Sequence, residues 1–171
     1  VYAGTGCITT SETVKLSKEA EAIGVDSISV ITPYFAQLGQ EEIYRHFRAV
    51  AEAVDIPIIL YNIPARTGNH IEASTALRLA EIDNIKGIKD SSGNFLNILS
   101  YIKIKEKKKD FYVLSGNDAL ILSTLQAGGD GAVAGCSNVY PKIMSEIYNL
   151  YKSGDYKNAL KNQNSIIKLR E

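Results

Sequence analysis

The sequence predicts an α/β fold built from repeated βα units, and three observations carry the prediction. Six short apolar runs begin near residues 1, 27, 57, 85, 111 and 131. Each is followed by apolar residues at helical spacing, with a repeat of roughly 20 to 30 residues, the rhythm of a parallel sheet. The unusual residues Thr5, Tyr34, Tyr61, Arg66, Lys89 and Ser115 gather just after the ends of the strand-like runs, where a TIM (β/α)8 barrel keeps its chemistry. An open dinucleotide-binding sheet would need a G-x-G-x-x-G turn, and Gly4-Thr5-Gly6 continues without the third glycine. Six strands cannot close an eight-stranded ring, which takes about 250 residues. The expectation is therefore an incomplete barrel, strands three to eight with the first two βα units missing, forming one domain over 1–171 with C-terminal helices. The chain begins without Met, directly in a strand pattern, which suggests a cut inside a larger domain.

Val1 to Gly4 is the first predicted strand. Thr10-Ser11-Glu12 supplies helix-start chemistry, and Val14, Leu16, Ala20 and Ile23 give an apolar face ending at Gly24. Ser27 to Ile31 is the second strand, closed by Thr32-Pro33-Tyr34-Phe35. A helix follows from about Gln40 to Ala53, with Ile43, Phe47, Val50 and Ala51 on one face. Pro57 to Tyr61 is a continuous apolar strand of the kind buried on both faces. It runs into Asn62 to Gly68, a loop stiffened by Pro64 and released by glycine. Glu72 to Glu81 is a short helix leading to the strand that ends at Lys89. Further on, the pattern predicts a helix from Asn94 to about Lys107, a strand over Phe111 to Ser115 and a helix over Asp118 to Ala127. Gly131 to Ala134 is a small-residue strand, followed by helices over Pro141 to Tyr151 and Asp155 to Leu169.

The composition is ordinary for a globular domain, with 45% apolar and 22% charged residues and formal net charge zero, so no nucleic-acid partner is expected. The one basic run, Lys103 to Lys109, is expected to be a solvated helix end. Two cysteines, Cys7 and Cys136, and two histidines suggest neither a disulfide framework nor a metal site. No apolar run approaches membrane length and no signal peptide is present. A cytoplasmic protein is expected.

Lys89 carries the strongest chemical signal. It shares parity with Ile85 and Gly87 and ends an apolar parallel strand just before the polar turn Asp90-Ser91-Ser92-Gly93. An unpaired ammonium in a dry interior usually deprotonates, and the neutral amine attacks ketones to form a Schiff base. A lysine snorkelling at the sheet rim would fit the same stretch. Tyr61 ends the preceding strand with the parity of Ile59, so both side chains point into one mouth, where a phenol could carry the protons of imine formation. Arg66, in the loop after Tyr61, could grip a carboxylate in bidentate fashion or stay solvated. Gly128-Gly129-Asp130-Gly131 fits a tight turn into a strand, or a close approach to a ligand.

Taken together, Tyr61 to Gly68 (YNIPARTG) and Gly87 to Gly93 (GIKDSSG) resemble the dihydrodipicolinate synthase/N-acetylneuraminate lyase family. Ala3-Gly4-Thr5-Gly6, Thr32-Pro33-Tyr34, Leu114 to Asp118 and Ala127 to Gly131 are similar as well, in family order over essentially the whole chain. The resemblance implies a pyruvate-using class I aldolase of TIM-barrel fold, without metal or cofactor, and a homotetramer built as a dimer of dimers. It implies that Lys89 forms the Schiff base with pyruvate, that Tyr61 shuttles protons and that Val133 offers its backbone carbonyl near the lysine. Arg-Thr-Gly at 66–68 is similar to the synthases that condense pyruvate with L-aspartate-4-semialdehyde, where that arginine holds the aldehyde's carboxylate. Two departures keep alternatives open. Phe35 stands where the synthases have a second tyrosine that reaches into a neighbouring subunit's site, which favours a retro-aldol lyase of a 2-keto-3-deoxy sugar acid or N-acetylneuraminate. The family's Gly-Thr-Thr-Gly-Glu segment is absent, so the fragment alone is expected to be inactive. A keto-acid-binding barrel without turnover is the reading from another class.

Overall fold

The computed structural model describes residues 1–169. Its six strands are β1 (Tyr2–Gly4), β2 (Ser27–Ile31), β3 (Ile58–Asn62), β4 (Ile85–Asp90), β5 (Tyr112–Ser115) and β6 (Gly131–Ala132). They pair in parallel in chain order and curl into part of a barrel. The helices are α1 (Thr10–Ile23), α2 (Gln40–Ala51), α3 (Pro64–Thr67), α4 (Ala73–Leu79), α5 (Phe95–Ile102), α6 (Ile121–Gln126), α7 (Pro141–Lys152) and α8 (Tyr156–Leu169). No helix among the described residues is long and apolar enough to cross a membrane.

Alternation along the strands sorts the sheet into two faces. Ile28, Val30, Ile58, Leu60, Ile88 and Val113 lie on the face under the helices, fully buried with Ile43, Phe47, Val50, Leu79 and Ile98. The opposite, concave face carries Ser29, Ile59, Tyr61, Gly87, Lys89 and Leu114, which meet across the ladders as Ser29↔Ile59, Ile59↔Gly87, Tyr61↔Lys89 and Lys89↔Leu114. Ile85 does not share the parity of Lys89, contrary to simple alternation. The ladder steps from Ile58↔Ile85 to Ile59↔Gly87, so Lys86 is one extra residue in β4. Ile85 thereby joins the helix-covered core, and Lys86 reaches outward to Asp110 at 2.7 Å.

Helix α2 buries the predicted Ile43, Phe47, Val50 and Ala51, whereas α1 follows its caps more faithfully than its apolar spacing. Thr9 Oγ1 accepts the Glu12 amide at 3.2 Å to open α1, and Gly24, at φ 88°, closes it. Its buried face is Thr13, Ser17 and Ala20, whereas Leu16 and Ile23 are 39% and 82% exposed. Small side chains let α1 approach closely, and the Thr5 and Ser17 hydroxyls bond at 2.9 Å. The predicted 94–107 helix turns from α into a 3₁₀ turn at Lys103–Glu106. Lys105, within the expected solvated run, instead bonds Asp130 at 2.6 Å and the Gly128 carbonyl at 3.0 Å. The predicted 118–127 helix starts as a 3₁₀ turn over Asp118–Leu120. Gln163 of α8 caps this join, accepting the Leu122 amide at 2.9 Å and donating to the Asp118 carbonyl at 2.8 Å. A second core under α6, α7 and α8 holds Ile121, Leu125, Met144, Ile147, Ala159 and Ile166.

His46 is buried on α2, with Nδ1 2.9 Å from Thr10 Oγ1 and Nε2 without a partner. Burial pushes its pKa from 6.5 down to about 4. Protonation would place an N–H at Nε2 with nothing to accept it. In the unfolded chain the imidazole takes up its proton near pH 6.5, whereas the folded state resists until about pH 4. Stability is therefore expected to fall as pH drops through that window, by about 3 kcal/mol in all. Urea denaturation from pH 7 to pH 4, compared with His46→Gln, isolates this contribution. Parallel pH dependence in the two proteins would refute it.

Candidate active site

Strands β3 and β4 deliver the central pair. Tyr61 and Lys89 are penultimate residues of adjacent strands and register partners on the concave face. The Lys89 ammonium nitrogen lies 3.8 Å from the centre of the Tyr61 ring, close enough for a cation–π contact. Both side chains are half-buried, so the amine stays partly open to solvent on the concave face of the sheet, as the sequence reading expects. The room it occupies depends on Gly116 in the loop after β5. A methyl group there would lie 2.9 Å from Lys89 Cε and 1.9 Å from Ser91 Oγ.

Beyond Tyr61 the chain does not form a plain loop. Pro64 opens the single-turn helix α3, and Gly68, at φ 76°, closes it. Arg66 is exposed on this turn, with no ion pair among the described residues. An exposed guanidinium without an ion pair can take an incoming carboxylate. Thr67 and Asn69 then fix the loop that follows β2. Thr32 Oγ1 donates to Thr67 Oγ1 at 2.9 Å. Asn69 donates to the Pro33 and Ala36 carbonyls, each at 2.8 Å, and accepts the Leu38 amide at 2.8 Å. Between these anchors Phe35 is held at φ 82°, the one non-glycine residue with positive φ among those described, and its ring is 97% exposed. A bulky residue in this conformation is strained, and strain of this kind collects at functional sites.

Val133 lies farther off. Strand β6 ends at Ala132, shorter than predicted, although the Val133 amide still donates to Ser115 at 2.9 Å. It is two strands from Lys89 across Leu114. Thr5 and Ser115 do not join the cleft, because their hydroxyls bond Ser17 and the Asn117 carbonyl. The sequence reading missed Asn62, Asp90 and Gly116. Alternation past Tyr61 and Lys89 would have placed the first two together on the opposite face, and Gly116 stood inside a motif already singled out. Asp90 is fully buried there, bonded by Asn62 Nδ2 at 2.6 Å and Ser92 Oγ at 2.7 Å. Burial raises its pKa against the pull of those hydrogen bonds.

Comparison with known proteins bears on this geometry. The chain is 44% identical over 170 residues to a 4-hydroxy-tetrahydrodipicolinate synthase of Listeria innocua, covering 99% of this chain and 57% of that protein. The prophage protein YagE of E. coli K12, a dihydrodipicolinic acid synthase family member solved in complex with pyruvate, matches with TM-score 0.95 and 33% identity, covering 99% and 57% of the two chains. A 2-keto 3-deoxygluconate aldolase from Picrophilus torridus matches with TM-score 0.92 and 31% identity, covering 99% and 61%. The chain thus spans little more than half the length of its curated relatives, and its six strands are part of a TIM barrel. The dihydrodipicolinate synthetase family matches the sequence over residues 1–171, and this chain belongs to that family.

Proposed function

We propose that the protein carrying this chain is a Schiff-base lyase that condenses pyruvate with L-aspartate-4-semialdehyde. The observation that carries the reading is the Lys89 amine lying over the Tyr61 ring at the ends of two adjacent parallel strands. The neutral amine attacks the ketone carbon of pyruvate, and the carbinolamine loses water to give an imine. Loss of a methyl proton then gives the enamine, whose carbon attacks the aldehyde. Tyr61 is the phenol that carries protons in these steps. Arg66 holds the carboxylate of the aldehyde substrate, and the Val133 carbonyl belongs to the lysine's surroundings at the far side of the cleft. No metal or cofactor takes part. The names of the relatives at 42–44% identity support this substrate pair.

Intact mass spectrometry after pyruvate and borohydride, followed by peptide mapping, tests the mechanism on the protein at its natural length. An adduct on the peptide holding Lys89 is expected. Pyruvate binding without an adduct would instead favour a binding barrel. Tyr61→Phe keeps the ring under the amine and removes only the hydroxyl, so trapping should slow by about 10²-fold. An unchanged rate would remove Tyr61 from proton transfer.

A second reading rests on Phe35. It has no proton to give at the position where the synthases carry a relay tyrosine, which favours retro-aldol cleavage of a 2-keto-3-deoxy sugar acid. Its exposed ring on a pinned loop suits contact with a neighbouring copy in the proposed cytoplasmic homotetramer. Arg66→Ala separates the two readings. It should raise KM for aspartate semialdehyde strongly if the first holds, and leave sugar-acid cleavage in place if the second does.

A further inference from the structure

Behind the Lys89–Tyr61 pair, on the opposite face of the sheet, sits a polar knot that the proposed chemistry does not use. Asn62 and Asp90 are the final residues of β3 and β4 and are themselves register partners. Both are fully buried. The Asp90 carboxylate accepts Asn62 Nδ2 at 2.6 Å and Ser92 Oγ at 2.7 Å, and no lysine or arginine pairs with it among the described residues. Asn62 Oδ1 in turn accepts the Ile71 amide at 3.0 Å, and its Nδ2 lies 3.2 Å from His70 Nδ1. The adjoining backbone is bonded too, from the Ser91 amide to the Asn62 carbonyl at 2.8 Å and from the Gly116 amide to the Asp90 carbonyl at 2.7 Å.

A carboxylate taken out of water on hydrogen bonds from Asn62 and from the side chain and backbone of Ser92, with no lysine or arginine among the described residues, is a poor way to stabilise a fold, since an apolar residue of similar volume usually does as well. What it does supply is direction. The ladder stops at Asn62 and Asp90, and strand ends fray unless side chains tie them. The Asn62–Asp90 bond ties β3 to β4 one residue beyond Tyr61 and Lys89, while Ser92 holds the outgoing loop. We propose that Asp90 is the positioning residue of the Lys89–Tyr61 pair, holding the two strand ends so that the amine stays over the phenol ring and aimed into the cleft. The inference rests on the Schiff-base reading for its consequence in catalysis, since displacement of a reacting group by about 1 Å can cost 10²-fold.

The test uses Asp90→Ala and Asp90→Asn in the protein at its natural length, below the melting transition of each variant. Asparagine can still accept from Asn62 through Oδ1, so it preserves the tie between the two strand ends without the charge, while the bond that Ser92 Oγ donates is given up. Borohydride trapping of pyruvate at Lys89 should slow about 10²-fold in Asp90→Ala and recover most of its rate in Asp90→Asn. A second readout needs no pyruvate. The rate of reductive methylation of Lys89 by formaldehyde and cyanoborohydride, mapped by mass spectrometry, should change in Asp90→Ala, return in Asp90→Asn, and leave exposed lysines unaffected. If the parent protein forms no pyruvate adduct but the methylation pattern holds, the Schiff-base reading fails and the positioning role stands. If Asp90→Ala is folded and both rates equal the parent's, the positioning role is overturned. Equal loss in Asp90→Ala and Asp90→Asn overturns it as well. Should Asp90→Ala not fold, Ser92→Ala decides, because it removes the hydroxyl bond to the carboxylate, leaves those from Asn62 and the Ser92 backbone, and should slow trapping about tenfold. An unchanged rate there overturns the inference.

Discussion

Lys89→Arg is expected to eliminate the borohydride-trapped pyruvate adduct altogether. The substitution keeps a long cationic side chain that can still stack on Tyr61, so the contact seen at 3.8 Å has a substitute. What it removes is the lone pair. A guanidinium does not deprotonate in a protein and is no nucleophile towards a ketone, whereas a lysine releases its proton when its surroundings favour the free base. The comparison is sharper than Lys89→Ala, which would also open space beside Gly116 and Ser91. The readout is the mass of the protein after pyruvate and borohydride, alongside a thermal melt to show that the fold persists. An adduct that survives in Lys89→Arg would place the imine on another lysine and end the assignment of Lys89 as the nucleophile.

Much of this arrangement was legible in the residues. The strands were found because short apolar runs are punctuated by glycine, proline and polar turns, and their order followed from the βα rhythm. The pairing of Tyr61 with Lys89 was predictable as well, because both sit at the ends of consecutive parallel strands. The bulge at Lys86 was not. Nothing local to Lys86-Gly87 announces an extra residue, and it becomes visible only when Ile85 must bury with Ile58 while Gly87 clears the Tyr112 carbonyl, against which a methyl group would lie at 2.4 Å. The face of α1 was misjudged for a related reason, since apolar spacing takes no account of a helix that packs through Thr13 and Ser17. Asn62 and Asp90 escaped notice because polar residues after a strand suggest a solvated turn, yet here register carries both under the helices. The 3₁₀ turn at Lys103–Glu106 likewise answers to a distant partner, Asp130, that no local pattern contains.

The second large effect concerns a residue with no side chain at all. Gly116→Ala should slow pyruvate trapping at Lys89 by about 10²-fold while leaving a folded protein. Glycine is not needed there for its backbone, since Gly116 is absent from the positive-φ glycines. It is needed for the space. A Cβ would sit 1.9 Å from Ser91 Oγ, 3.0 Å from Ser91 Cβ and 2.9 Å from Lys89 Cε. Rotating Ser91 relieves the first contact only, so the loop or the lysine must move. Overpacking of this kind costs roughly 1–3 kcal/mol of stability, too little to unfold most domains, but the displaced atom is next to the reacting nitrogen. Gly4→Ala, where nothing lies within 4 Å, serves as the control for adding a methyl group to a strand glycine of the same sheet. Pairing Gly116→Ala with Ser91→Gly removes both serine contacts and should recover part of the rate, the coupling expected of neighbours. Trapping in Gly116→Ala at the parent rate would mean that Lys89 accommodates the methyl group without leaving its place over Tyr61.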